Sequence, residues 1–203
     1  NIPYIHPRSE WLAAPELQNL FIWYPYNPKG EGEIPDYHPV RQIILHDTGC
    51  NVSRPGCNDE SVPTATTIQN IFRFHAVTRG WGDIGYHFII DRKGEIWEGR
   101  YGGNGVRGAH LYNAKTCQNF NVGTVGITLI GNYANAQIPS VTIESLNRLI
   151  AWVAAVNDLD LQANPTMPIW TNPKNEAGKC TTESGGFTTV YSGPTVITHR
   201  DIE

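Results

Sequence analysis

The sequence predicts a single α/β domain built on a central mixed β-sheet flanked by helices. Three observations carry that expectation. Short apolar runs at 41–46, 122–131 and 195–199 read as buried strands. Residues 86–91 and 95–99 flank Arg92-Lys93-Gly94 as a hairpin would. Two further stretches repeat apolar residues with a helical period. At 203 residues the chain is long enough for one real core and short for two.

In chain order, residues 1–40 are irregular and proline-rich, and are expected to lie as a strap over the domain, with one short helix near 9–20. The domain proper is expected over 41–203. The first strand, 41–46, ends in His46, just before the turn-forming Asp47-Thr48-Gly49. A loop runs to Pro63. A helix then starts at Thr66 or Thr67, either of which can cap it. Its face is Ile68, Ile71, Phe72 and His75, and Gly80 ends it. After the hairpin, 122–131 is apolar enough to be a central strand. The second helix spans about 142–158, with Ile143, Leu146, Leu149, Ile150, Val153 and Val156 expected on its core side. Residues 172–193, rich in Gly, Thr, Ser and Lys, read as a long surface excursion. Strand 195–199 closes the fold and ends in His199.

Composition narrows the function. Fifteen basic against nineteen acidic side chains give a net charge of −4, which argues against nucleic acid as a partner. No apolar run is long enough for a membrane span, and the first residues show no basic-then-apolar signal pattern, so a signal was either already removed or never there. Four cysteines, at 50, 57, 117 and 180, form no CxxC pair, so a four-cysteine zinc site is not expected. The favoured pairing is Cys50–Cys57 with Cys117–Cys180; free buried thiols are the alternative. Loop-borne cysteines and low lysine content point to an extracellular or periplasmic, secreted protein.

His46 and His199 are the strongest chemical signal. Each is expected at the C-terminal end of a buried strand, where two imidazoles distant in sequence can converge on one metal, and imidazole suits zinc.

Several segments then resemble one family, in order, from residue 6 onward. They are Ile5-His6-Pro7-Arg8-Ser9-Glu10-Trp11, Ile43-Ile44-Leu45-His46-Asp47-Thr48 and Phe74-His75. Next come Gly80 through Phe88, Gly94 through Arg100, Gly108-Ala109-His110 to Asn113, and Val125-Gly126-Ile127 with Ile130-Gly131-Asn132. The last is Thr198-His199-Arg200-Asp201. Together they resemble peptidoglycan recognition proteins and the zinc-dependent N-acetylmuramoyl-L-alanine amidases, a family shared with phage amidase lysozymes.

The resemblance implies a substrate, peptidoglycan, and a bond, the amide between N-acetylmuramic acid and the first L-alanine of the stem peptide. It implies Zn2+ held by His46 and His199 at the floor of a groove. It makes Tyr86 a catalytic-site phenol that hydrogen-bonds the attacking water or the oxyanion. It places His110 beside the metal, in contact with substrate or oxyanion. His75 and Arg79, four residues apart on one helix face, and Asn132 are expected to touch the muramyl peptide. Alternation along the strand puts Tyr86 and Phe88 on one face and His87 on the other, so His87 reads as structural. Thr128 stands where some branches carry a glutamate base, so this chain resembles the branch that uses tyrosine. Asp47 is expected to orient an imidazole.

The family's third zinc ligand, a Cys or Asp, follows the His-Arg-Asp segment by several residues, and Glu203 comes first. Three expectations follow: a fragment of a longer chain that lacks its C-terminal tail, a third ligand from within with His110 the best candidate, or a binding module without zinc. A non-catalytic recognition domain and a structural domain of a larger surface assembly therefore stand beside the enzyme.

Overall fold

The computed structural model describes residues 2–21, 37–49, 61–181 and 185–202. Its nine strands among these residues are β1 (Gln42–Asp47), β2 (Phe88–Ile90), β3 (Ile96–Glu98), β4 (Tyr112–Asn113), β5 (Gln118–Asn119), β6 (Thr124–Leu129), β7 (Thr166–Thr171), β8 (Gly186–Ser192) and β9 (Val196–Thr198). The helices are α1 (Pro15–Gln18), α2 (Thr64–Arg73) and α3 (Ser140–Val156).

Five strands form the expected mixed sheet, in the order β3-β2-β6-β1-β9. β6 is central and pairs in parallel with β1 and β2, while β9 pairs in parallel with β1 and β3 closes an antiparallel hairpin on β2. Every residue of β6 is buried, as its unbroken apolar pattern requires of a strand covered on both faces. The hairpin turn is held by Asp91, whose Oδ1 accepts the N–H groups of Lys93 and Glu95, and Gly94 takes the positive φ of 80° that the turn needs.

Strand alternation divides the core. Ile43, Phe88, Ile90, Val125, Ile127 and Leu129 pack against Leu146, Leu149 and Val153 of α3. On the other face Ile89, Trp97 and Ile130 meet Ile68 and Phe72 of α2, with Trp11, Leu12 and Leu17 from the N-terminal segment. A third cluster joins Ile44 and Ile197 to Leu111, Phe120, Met167 and Ile169.

Five expectations need correction. The helix near 9–20 is two short pieces, a 3-10 turn at Arg8–Glu10 and α1, because Ala14 is extended ahead of Pro15. α2 begins at Thr64 behind Pro63, not at a threonine cap, and the Thr64 hydroxyl donates instead to Asp91. Ile143 and Val156 of α3 face solvent, at 42% and 54% exposure. The Thr142 and Ser145 hydroxyls donate to the carbonyls of Asp91 and Gly94, which turns the polar side of the first helical turn inward. Residues 172–193 are not wholly a surface excursion: β8 pairs along the length of β7 in a second, antiparallel sheet of order β4-β5-β7-β8. Its Phe187-Thr-Thr-Val190-Tyr191 run was obscured by the glycines on either side. Lastly, regular strand begins only at Phe88, so alternation does not reach Tyr86, which packs with the α2 cluster while Phe88 packs with α3.

Cys117 and Cys180 are disulfide-bonded, tying the β4–β5 turn to the chain that leads into β8. Cys50 and Cys57 lie outside the described residues. No helix among the described residues is long and apolar enough to cross a membrane.

Candidate active site

β1 and β9 are neighbours in register, with Leu45 opposite Thr198, so the residues that follow, His46 and His199, meet at the carboxyl edge of the sheet. Their ring centroids lie 5.1 Å apart. His46 is the fifth residue of β1; His199 opens a 3-10 turn, Arg200 follows it, and Asp201 caps the turn by accepting from Thr198. A groove of about 580 Å3 opens here, lined by His46, Tyr86, His110, Tyr133, His199 and Arg200 among others. Its position beyond the carboxyl ends of parallel strands is where open α/β sheets commonly bind ligands.

The Tyr86 ring lies 5.1 Å from that of His46. Burial, and then the Asp47 carboxylate, push its phenol up to about 12, so it is a neutral O–H donor at neutral pH. Thr128, paired across the sheet with His46, has a fully buried hydroxyl that makes no hydrogen bond of ordinary length, although it pulls the phenol's pKa the other way.

Burial and the neighbouring His199 and His87 imidazoles bring His46 down to about 3, which keeps its ring neutral. His110 is likewise held well below the ordinary value by burial and by the imidazoles around it. His110 Nδ1 is 3.0 Å from His46 Nε2, and its Nε2 is 3.2 Å from Thr124 Oγ1. Both ring nitrogens are thus hydrogen-bonded. His87 accepts the Gly126 N–H at Nδ1 and donates from Nε2 to the Val106 carbonyl, a structural cross-link between strand and loop.

The remaining candidates are dispersed. His75 is buried and its Nδ1 accepts the Gly85 N–H, with its ring 5.5 Å from that of Tyr86. Arg79 is exposed and lies over Phe74. The pair was expected to share a face; instead the helix ends in a π turn, Phe74–Thr78, that leaves one buried and the other exposed at the C-cap. Asn132 is half-buried, and its side chain accepts the Ala134 N–H. The two Asp47 oxygens accept the N–H groups of Gly49 and Tyr133, so Asp47 shapes the rim rather than orienting an imidazole. Tyr133, Arg200 and Thr124 escaped sequence reasoning. Only the Gly131-Asn132 turn after the central strand hinted at the first, and a lone threonine opening an apolar strand at the last.

In donor type and placement His46 and His199 fit zinc, and they would supply two of the three protein ligands that a catalytic site needs. Among the described residues no group of three histidines, cysteines or carboxylates is arranged to hold a metal.

The mixed sheet and its flanking helices have the fold of solved peptidoglycan recognition proteins. Bumblebee PGRP-SA superposes with a TM-score of 0.57 and 27% identity, covering 77% of this chain and 78% of that one. The family model described as N-acetylmuramoyl-L-alanine amidase matches residues 36–202, and the chain belongs to that family. It is 36% identical over 138 residues to the N-acetylmuramoyl-L-alanine amidase of Sus scrofa, covering 68% of this chain and 19% of that protein. It is 33% identical over 108 residues to peptidoglycan-recognition protein SC2 of Drosophila melanogaster, covering 53% and 52%. The chain therefore spans about a fifth to a half of the length of these relatives.

Proposed function

We propose that this chain hydrolyses the amide between N-acetylmuramic acid and L-alanine in peptidoglycan, as a secreted, zinc-dependent enzyme. The observation that supports this most is the convergence of the His46 and His199 imidazoles with a neutral phenol in one groove. Zinc bound by His46 and His199 would lower the pKa of a water to about 7 and polarise the amide carbonyl. The chain's own residues do the rest. The neutral His46 ring keeps a lone pair for the metal. The Tyr86 O–H donates to the oxygen that gains charge when water adds to the carbonyl carbon. As the C–N bond breaks, the nitrogen takes up the proton the water gives up. Arg200 at the groove wall suits a carboxylate of the stem peptide.

The test is digestion of purified peptidoglycan with and without added zinc, read as release of free stem peptides. Zinc-dependent release, lost on treatment with a chelator, supports the reading. One observation favours a second reading, a domain that binds muramyl peptide without cutting it: the described residues offer two metal ligands and no third. Saturable binding to peptidoglycan with no peptide release at any zinc concentration would select that alternative.

A further inference from the structure

The His110 ring is buried in a close-fitting slot, and the catalytic reading leaves its role open. Two glycines form its slot. A Cβ on Gly108 would stand 2.5 Å from His110 Cδ2, and a Cβ on Gly126 would stand 2.6 Å from Cδ2 and Cγ. Its backbone is fixed as well: the N–H groups of His110 and Leu111 both donate to Asn121 Oδ1, and the Asn121 amide is held by Asn119. The ring cannot turn without moving the backbone at Gly108 and at Gly126 of β6.

The 2.6 Å contact from Thr124 to the Phe120 carbonyl sets the hydrogens along this chain of contacts. The Thr124 hydroxyl has one proton, and it is committed to the Phe120 carbonyl at 2.6 Å. Toward His110 Nε2, at 3.2 Å, Thr124 Oγ1 can therefore only accept, so Nε2 carries the hydrogen. In a neutral ring Nδ1 is then the lone pair. That lone pair faces His46 Nε2 at 3.0 Å, which must be the donor. His46 is thereby held as the Nε2–H tautomer, and Nδ1 is its only nitrogen free to bind a metal.

We propose that His110 and Thr124 are positioning residues that select the tautomer and ring orientation of His46, and that His110 is neither a third metal ligand nor a substrate contact. The proposal rests on the zinc reading for its purpose but not for its geometry. It assigns a use to the Gly108-Ala-His110 and Val125-Gly126 segments together: the glycines make the slot, the histidine fills it, and the threonine two residues ahead of Gly126 sets the hydrogen.

Long-range 1H–15N correlation spectra of the 15N-labelled, metal-free protein report which nitrogen of each histidine carries hydrogen. The expected result is Nε2–H for both His46 and His110. Thr124→Val should leave His46 in mixed tautomers and weaken zinc, measured by competition with a chromophoric chelator, by about 10- to 100-fold. Thr124→Ser, which keeps the hydroxyl, should restore both. An Nδ1–H tautomer at His46 in the wild type would overturn the proposal, and this reading needs no variant to fold. So would a folded Thr124→Val protein with unchanged tautomer and unchanged zinc affinity. If the wild type binds no zinc, the enzymatic reading falls and the tautomer spectrum alone decides the relay.

Discussion

Acidification should destabilise this protein through His87, a residue that never touches the groove. Its two ring nitrogens have opposite duties: Nδ1 accepts from Gly126 N–H and Nε2–H donates to Val106. A second ring proton would set a donor against a donor. Burial, with the nearby Arg100 charge, brings the ring to about 4 despite the Val106 carbonyl, which favours the charged form. The unfolded chain titrates near 6.5. Between those values the unfolded state takes up a proton that the folded state refuses, so stability is complete above about pH 6.5 and falls as pH drops toward the folded value. At about 1.4 kcal/mol per pH unit the loss reaches about 3 kcal/mol by the lower end. That is a large share of the 5–15 kcal/mol typical of a domain. Urea unfolding at about pH 7.5 and about pH 4.5 should show the midpoint falling by more than about 1 M. His46 and His110 act in the same direction, so the diagnostic quantity is the difference between wild type and His87→Gln. The variant should be less stable at neutral pH but lose less on acidification. Equal losses in both proteins would refute the assignment.

Other outcomes follow from single contacts. Gly126→Ala should lower stability by about 1–3 kcal/mol in thermal or urea unfolding, because the new methyl meets the immobile His110 ring. Arg8 is buried, donates to Gly99 and pairs with the nearly inaccessible Asp83 at 3.1 Å, so Arg8→Ala should cost about 3–5 kcal/mol by leaving that buried carboxylate with the Ile84 and Tyr101 N–H groups but without the guanidinium's opposite charge. Replacing Cys117 and Cys180 together by serine frees a link between residues 63 apart, and should cost up to about 4 kcal/mol in urea unfolding. Tyr86→Phe should keep the fold, judged by circular dichroism, and lower stem-peptide release by about 100-fold or more if the phenol stabilises the oxyanion.

Much of the fold was legible because it is written in local pattern. Unbroken apolar runs marked β1, β6 and β9, and the Arg92-Lys93-Gly94 turn marked the hairpin. Where patterns conflict with tertiary contacts they misled. Ile143 looks like a core residue by period, yet the Thr142 and Ser145 hydroxyls find carbonyls on the hairpin and rotate it outward. β8 is missed because its glycine neighbours and its hydroxyl-rich composition imitate a loop, and only pairing with β7 makes it a strand. Tyr86 and Phe88 look like one face, but irregular backbone ahead of β2 sends them to different clusters.

Sequence alone determined the strands of the central sheet, the family resemblance and the candidacy of His46 and His199, since strand-forming runs and the residues that end them are contiguous. The hydrogen-bond partners of those imidazoles were decided only by folding. Asp47, adjacent in sequence, is drawn off by Gly49 and Tyr133, while His110 and Thr124 arrive from a distant loop and strand. A side chain's neighbours across a sheet depend on register and on where glycine permits close approach, and neither quantity is carried by any single stretch of chain.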